Sequence, residues 1–210
     1  VLIARKNAYH GSTLGGGSLG GMTSIHSQGG LPIPGIHHVA QPYWFGGGGE
    51  MSPHEFGVFA ARELEKAIDE IGEDRIAAFV AEPIQGAGGV IIPPATYWPE
   101  VKRILAERDI LLVADEVITG FGRTGNWFGS ETFEIEPDLM AFAKGVSSGY
   151  LPIGGVLVSD KVADVLYDAG EFHHGFTYSA HPVAAAAAVE NLRILESEKL
   201  VERVRDDIGP

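Results

Sequence analysis

The sequence predicts an α/β domain with a mostly parallel sheet flanked by helices, because two kinds of segment alternate along it. Short, continuously apolar runs, which are typical of strands buried on both faces of a parallel sheet, occupy positions 76–81, 110–114, 139–143 and 153–158. Segments whose apolar residues recur every three or four positions, which is the helical period, occupy positions 53–71, 97–109, 160–167 and 182–198.

The helix predicted over positions 53–71 has a clear start and end. Ser52 and Glu55 form a capping-box pattern around Pro53, and Gly72 ends the periodic stretch. The preceding region, Gly11 to Met51, is rich in Gly, Ser and Pro and is interpreted as a long functional loop. Its aromatic stretch at positions 43–45 is equally consistent with a core anchor and with an apolar substrate pocket.

Composition excludes several classes of protein. The 210 residues suit a single domain, and a net charge of −13 with 15 scattered Lys and Arg residues argues against nucleic-acid binding. No apolar run reaches the length of a membrane span. The absence of Cys excludes a disulfide framework and a thiolate metal site, and it fits a cytoplasmic protein. Neither end resembles the end of a natural protein, so we expect the chain to be part of a longer one.

Polar residues follow three of the apolar runs. Glu82 follows the first run, Asp115 the second and Lys144 the third. Ligand sites of parallel sheets lie beyond the carboxyl ends of the strands, so we expect these three residues to converge at one edge. We expect Lys144 to leave a buried strand, where an amine is favoured in the neutral form that can attack an aldehyde. At the end of the preceding strand, the Asp115 carboxylate is then placed to pair with the pyridine nitrogen of a bound cofactor and keep that nitrogen protonated.

Two other kinds of site are disfavoured. The His pairs at positions 37–38 and 173–174 are sequence neighbours, which point apart on an extended segment, and no His-x-x-x-His pattern lies on a predicted helix. No metal site is therefore predicted. The Gly-rich stretches lack the Lys-Ser/Thr ending or the strand-then-G-x-G-x-x-G context of nucleotide-binding loops.

Four short elements stand in order along the chain. They are an aromatic-His-Gly element at 7–11, a Glu-Pro-Ile-Gln element at 81–86, a longer element spanning 115–125, 137–139 and 144–145, and a Thr-containing element at 174–179. In kind and order they resemble the signature elements of the class III aminotransferases, which are fold-type I enzymes that use pyridoxal phosphate. The match extends over nearly the whole chain, which we expect to be one cofactor-binding large domain, positions 1–210.

The resemblance implies a role for each matching residue. Lys144 would bond covalently to the cofactor and then move a proton between substrate and cofactor carbons, while Asp115 would pair with the pyridine nitrogen. Tyr9 and Val117 would lie against the two ring faces.

Two further roles follow from the same resemblance. Thr177 would bind the phosphate of the neighbouring subunit's cofactor, so that a homodimer shares its active sites. Glu82 would lie near the substrate, where in relatives it can pair with an Arg that otherwise grips a carboxylate.

The branch of the family is indicated by positions 42–45, 148–152 and 174–178, which resemble the ω-amino acid–pyruvate aminotransferases. Ile118 stands where the 4-aminobutyrate and ornithine branches usually have Gln, and Gly122–Gly125 argues against an aminomutase.

The family's phosphate-binding Ser-Gly loop is expected before Val1 and its substrate-binding Arg after Pro210. A catalytically incomplete chain and a PLP aminomutase remain alternatives to a transaminase acting on an ω-amino acid, diamine or amine and a keto acid.

Overall fold

A computed structural model describes residues 1–209 of the chain. The strands, in chain order, are β1 Leu2–Arg5, β2 Ile36–Val39, β3 Ala78–Ala81, β4 Leu111–Asp115, β5 Leu139–Phe142 and β6 Gly155–Val158. The helices are α1 Leu14–Leu19, α2 Thr23–His26, α3 Trp44–Gly47, α4 Pro53–Ile71, α5 Tyr97–Glu107, α6 Gly129–Thr132, α7 Asp160–Asp168, α8 Pro182–Ser197 and α9 Leu200–Arg203. Short 3₁₀ turns cover Glu73–Arg75 and Lys144–Ser147, and a π turn covers Val204–Ile208.

The chain divides into two compact units, Val1–Val113 and Ala114–Pro210, and β4 is the strand at which they meet in sequence. In the first unit the strands lie in the order β2-β1-β3-β4, and β1 pairs in parallel with both β2 and β3. In the second unit the order is β4-β5-β6, and β6 is antiparallel to β5. The predicted mixed α/β class with a mostly parallel sheet is confirmed.

The core of the first unit lies between its sheet and the helix pair α4 and α5. Trp98, Phe79 and Leu64 are fully buried there. The capping box predicted for α4 is present, since the Ser52 hydroxyl accepts the Glu55 N–H and the Glu55 carboxylate accepts the Ser52 N–H. These contacts fix the start of the helix that covers the core.

The prediction of a structureless loop over positions 11–51 is wrong, because that region contains α1, α2, β2 and α3. The Thr13 hydroxyl accepts the Gly16 N–H and so starts α1 despite its three glycines. The imidazole of His26 hydrogen-bonds the Gly17 and Gly20 carbonyls, and that of His38 bonds the Leu19 carbonyl. These bonds satisfy carbonyls that the end of the helix leaves without intrahelical donors, and burial lowers the pKa of His38.

The second unit is less buried than its sequence predicts. All four residues of β5 are half-buried, and three residues of β6 are more than a third exposed: Val156 by 54%, Leu157 by 51% and Val158 by 39%. The prediction of buried strands is therefore wrong for β6. An apolar run in the sequence indicates that a strand favours burial. It does not indicate which other segment packs against that strand, because this depends on the tertiary structure. Along α7, Val165 and Tyr167 are exposed as well.

Candidate active site

Lys144 lies one residue beyond the half-buried strand β5, from which Ala143 separates it, and it begins the 3₁₀ turn. Its side chain is exposed, so the predicted burial is wrong for this chain. Its φ of 40° lies in the left-handed region, which is uncommon for a residue with a side chain. Such conformations are strained and are kept only where surrounding contacts hold them.

Asp115 and Lys144 leave neighbouring strands of the second unit. β4 and β5 lie side by side, and the Glu116 N–H donates to the Ala141 carbonyl over 2.9 Å. Asp115 precedes Glu116 by one residue and is nearly buried, and its Oδ1 accepts the Val117 N–H over 3.0 Å. This bond fixes the carboxylate relative to the half-buried Val117, and the structure thus brings three predicted site residues into one region.

A cavity of about 500 Å³ lies beside Lys144. The segment after Val117 forms one wall with Phe121 and Arg123, and the turn after Lys144 forms another. Gly145 allows this approach, since a Cβ there would lie 3.0 Å from the Cβ of Phe121. The exposed Arg123 guanidinium and the Lys144 amine give the cavity a positive lining, which suits an anionic group.

The buried carboxylate of Glu116 holds the segment that contains Val117. Its Oε1 accepts the Ser130 N–H and hydroxyl, each over 2.6 Å, and its Oε2 accepts the Gly129 N–H and the Thr119 hydroxyl. Four donors on one carboxylate satisfy a group that is costly to bury without partners. Glu116 thereby fixes both ends of the loop from Thr119 to Gly129. In the sequence, Glu116 is distinguished only as part of the signature spanning 115–125.

Thr177 is exposed on the segment between α7 and α8, as the sequence predicts for a loop. A turn follows Phe176, in which the Ser179 N–H donates to the Phe176 carbonyl over 3.0 Å. The hydroxyl of Thr177 is therefore accessible to a ligand or to another chain.

Tyr9 and Glu82 lie in the first unit and contact each other. Glu82 is only 4% exposed, and its two carboxylate oxygens accept the Tyr9 N–H over 3.3 Å and the Gly86 N–H over 2.8 Å. Burial raises the pKa of the Glu82 carboxyl, while the Gly86 N–H and the nearby Arg5 guanidinium oppose that rise. Glu82 thus fastens the backbone of Tyr9 to the end of β3.

Arg5 is a fully buried residue that the sequence analysis did not single out. Its guanidinium donates to the Glu82 carbonyl and lies 5.9 Å and 5.8 Å from the ring centroids of Tyr97 and Trp98. The ring faces are favourable neighbours for a desolvated cation. Arg5 ends the apolar start of the chain, a position whose burial was not visible from the sequence.

Two other findings concern residues 1–209 only. None of the helices described there is long and apolar enough to cross a membrane. Among the same residues, no group of three or more His, Cys, Asp or Glu side chains is placed to hold a metal ion. The His26 and His38 rings, 5.2 Å apart, instead serve the end of α1.

Lys144 and Asp115 therefore leave neighbouring strands of an α/β sheet, and a cavity lies beside Lys144. The model of the class-III aminotransferases matches residues 1–208, and the chain belongs to that family. The predicted family is confirmed.

Relatives and solved structures support the predicted branch. The chain is 63% identical over its full length to a putrescine–pyruvate aminotransferase of Pseudomonas aeruginosa. It is 51% identical, over 96% of its length, to a γ-aminobutyrate transaminase of Solanum lycopersicum. An (S)-enantioselective ω-transaminase from Thermomicrobium roseum superposes with a TM-score of 0.94 at 46% identity, over 97% of this chain. The fold-type I prediction and the ω-transaminase side of the family are confirmed.

The chain spans about half the length of the curated relatives it matches. It covers 46% of the Pseudomonas enzyme and 40% of the tomato enzyme, and it covers 46% of the Thermomicrobium structure. The exclusion of the 4-aminobutyrate branch on the strength of Ile118 stays a prediction, as does the cytoplasmic location.

Proposed function

We propose that the protein carrying this chain is a pyridoxal-phosphate-dependent transaminase. It would move an amino group from an ω-amino acid, a diamine or another amine to a keto acid such as pyruvate. One observation carries the proposal: in a chain of the class III family, the Lys144 amine is exposed beside a cavity and next to the strand that ends in Asp115.

The groups present fit this cofactor. An exposed primary amine suits its aldehyde, a nearly buried carboxylate suits its protonated ring nitrogen, and the exposed Thr177 hydroxyl suits its phosphate. When bound, pyridoxal phosphate supplies an electron sink for the bond-breaking step at the substrate's amine-bearing carbon.

The chain's own residues would bind, orient and move a proton. Lys144 would hold the cofactor and, once released, carry a proton at Nζ between two carbons. Asp115, fixed by the Val117 N–H, would keep its carboxylate aimed at the ring nitrogen. Val117 and Tyr9 would flank the ring.

Two of the proposed roles make specific structural demands. Thr177 would act across a homodimer interface, and this needs its hydroxyl to be accessible, as it is in this chain. A substrate contact by Glu82 requires that a ligand reach a 4% exposed carboxylate or displace its two backbone donors.

The proposed amino donors follow from the relatives. The 63% identical relative is named for putrescine and pyruvate, and others for γ-aminobutyrate. We expect putrescine with pyruvate to be the better pair and 4-aminobutyrate to be slower. Measuring alanine formation from pyruvate with putrescine, β-alanine and 4-aminobutyrate in turn ranks the donors.

The decisive experiment replaces Lys144 by Ala in the full-length protein. The wild type should gain a visible absorbance band with pyridoxal phosphate, and borohydride should fix the cofactor to the peptide that contains Lys144. Lys144→Ala should lose both signals, and its transamination rate should fall by at least about 10²–10⁴-fold, the contribution of proton transfer alone.

Lys66→Ala is the matched control, because Lys66 is an exposed lysine on α4 in the first unit. It should retain the band and the rate. A borohydride-reducible link that persists in Lys144→Ala would contradict the proposal. Cofactor binding without turnover in the wild type would instead identify a catalytically incomplete protein.

A further inference from the structure

Asn191 on α8 is bonded to the turn that follows Lys144. Its Nδ2 donates to the Gly145 carbonyl over 2.9 Å and to the Val146 carbonyl over 3.1 Å. Its Oδ1 accepts the Ser148 hydroxyl over 2.7 Å. The side-chain amide of Asn191 therefore donates two hydrogen bonds and accepts one, all with residues of the same turn.

The turn needs such support. Lys144 at φ 40° and Ser148 at φ 49° are both left-handed residues with side chains, and they bracket the 3₁₀ turn. Carbonyls at the end of a short helix also lack intrahelical donors. Two of the backbone bonds that close this turn run from the Val146 N–H to the Ala143 carbonyl at 3.1 Å and from the Ser148 N–H to the Gly145 carbonyl at 3.3 Å.

The position of Asn191 is costly for α8 itself. Asn is a poor residue for a helix interior, and the preceding stretch of α8 is rich in Ala, the best helix former. The side chain therefore gains its place through contacts outside the helix. The two buried residues of this helix, Ala184 and Ala188, have no polar side-chain atoms and could not make the hydrogen bonds that Asn191 makes.

We propose that Asn191 is a positioning residue. It holds the backbone of the lysine turn, which runs from Lys144 to Ser148, and so fixes the position of the Lys144 amine. The role rests on the proposed transaminase function and adds to it a residue 46 positions away along the chain from Gly145. Asn191 touches neither the amine nor Asp115 in the contacts described, and it acts through Gly145, Val146 and Ser148.

Two substitutions of Asn191 separate positioning by hydrogen bonds from simple packing. Asn191→Asp has almost the same shape but loses both donors and turns a charged oxygen towards two carbonyl oxygens. Asn191→Ala loses the same bonds without adding repulsion. A hydrogen-bonding role predicts that Asp is the worse replacement, whereas a packing role predicts that Ala is.

The measurements use the full-length protein with and without cofactor. Without cofactor, hydrogen exchange of the 143–150 segment should be roughly ten- to a hundredfold faster in Asn191→Asp, the effect of losing two hydrogen bonds. With cofactor, kcat should fall by a similar factor while KM for the amine changes little. Asn126→Ala is the matched control, since the Asn126 amide donates to the Thr132 hydroxyl over 3.0 Å and its removal leaves the contacts of the lysine turn intact.

Each outcome decides the matter. Wild-type exchange and kcat in Asn191→Asp, a larger effect in Asn191→Ala, or faster exchange with unchanged kcat would each overturn the inference. If Asn191→Asp fails to fold, Ser148→Ala removes one of the three bonds and should change both measurements a fewfold in the same direction, and no change would be decisive against the role. A wild type whose Lys144 takes up no cofactor refutes the proposed function, while the exchange measurement still tests Asn191.

Discussion

The two compact units differ in what they do with their polar side chains. In Val1–Val113, Arg5 and Glu82 are buried and hydrogen-bonded within the core. In Ala114–Pro210, Lys144 and Thr177 are exposed, and so are the apolar residues of β6. Asp115 and Glu116 are buried carboxylates of the second unit, and Glu116 organises a loop. The difference teaches that Arg5 and Glu82 help to hold the fold of the first unit, whereas Lys144 and Thr177 of the second unit are accessible to ligands.

The largest loss of stability is expected from Trp98→Ala in the first unit. Trp98 is fully buried, and its indole N–H donates to the Pro83 carbonyl over 3.1 Å. Removing a buried aromatic side chain of this size should lower the free energy of unfolding by about 3–5 kcal/mol, measured by urea denaturation. Phe59→Ala, at a residue 47% exposed on α4, should cost much less. Equal losses for the two variants would show that burial in the core of the first unit does not set the cost of removing a side chain.

Asp115→Asn should show the opposite behaviour in the second unit. The amide keeps an oxygen for the Val117 N–H, so the free energy of unfolding should change little. The negative charge is lost, and turnover should fall on the order of 10²–10³-fold, as for other lost electrostatic contacts at reacting groups. Asp168→Asn, at the exposed end of α7, is the control that should leave turnover unchanged. Near-normal turnover in Asp115→Asn would refute the assigned role.

The longer helices α4, α5, α7 and α8 and the strands β3 to β6 could be predicted from the sequence, because their apolar residues recur at the helical period or form continuous runs. Helix α4 begins and ends where Ser52 and Gly72 indicate, and β4 and β5 end within a residue or two of their predicted bounds. Strand β2 could not be predicted, since its four residues include two His and gain their place by pairing with β1. Tertiary context overrides local propensity in so short a strand.

The candidate site was predictable only in part, for a similar reason. Lys144 and Asp115 follow apolar runs, so their placement at strand ends is a local property of the sequence. The exposure of Lys144 and the contacts of Asn191 depend on which distant segments pack together. An Asn within an otherwise favourable helix is the one local signal that Asn191 has another task.

Thr177→Ala tests whether the accessible hydroxyl of the second unit binds the cofactor phosphate. Losing one hydrogen bond to a charged group costs about 1.5–3 kcal/mol, so the affinity for pyridoxal phosphate should fall by roughly ten- to a hundredfold. The free energy of unfolding should stay the same, because the side chain is exposed. A fall in stability with unchanged affinity would show instead that Thr177 only caps its turn.

Hybrid dimers extend the Thr177 test to the arrangement of subunits. A Thr177→Ala chain with intact Lys144 is mixed with a Lys144→Ala chain with intact Thr177. If Thr177 acts across the interface, one site of the hybrid combines the intact Lys144 of one chain with the intact Thr177 of the other. That site should bind cofactor tightly and turn over. Hybrids that bind no better than the Thr177→Ala parent would place the residue's action within its own chain.

The smallest expected effect is that of Ser52→Ala, which removes the side-chain half of the capping box of α4. Loss of a Ser N-cap costs about 1 kcal/mol, less than the loss expected for Trp98→Ala, and urea denaturation at neutral pH should detect it. Turnover should be unchanged, because the substitution alters only the start of α4, which contains none of the proposed site residues. Ser27→Ala, whose exposed hydroxyl donates to the Ser24 carbonyl, serves as the control and should cost less.

The cost of Ser52→Ala should also depend on pH in a defined direction. The Ser52 hydroxyl and N–H lower the pKa of the Glu55 carboxyl below its ordinary value. A lowered folded-state pKa contributes stability that is present above the unfolded pKa and is lost as the pH falls through the folded one. The difference in unfolding free energy between wild type and Ser52→Ala should therefore be largest at neutral pH and shrink in acid. A difference that stays constant down to the acid limit of folding would mean that the Ser52 hydroxyl stabilises the helix only through the Glu55 N–H and not through its bond to the Glu55 carboxylate.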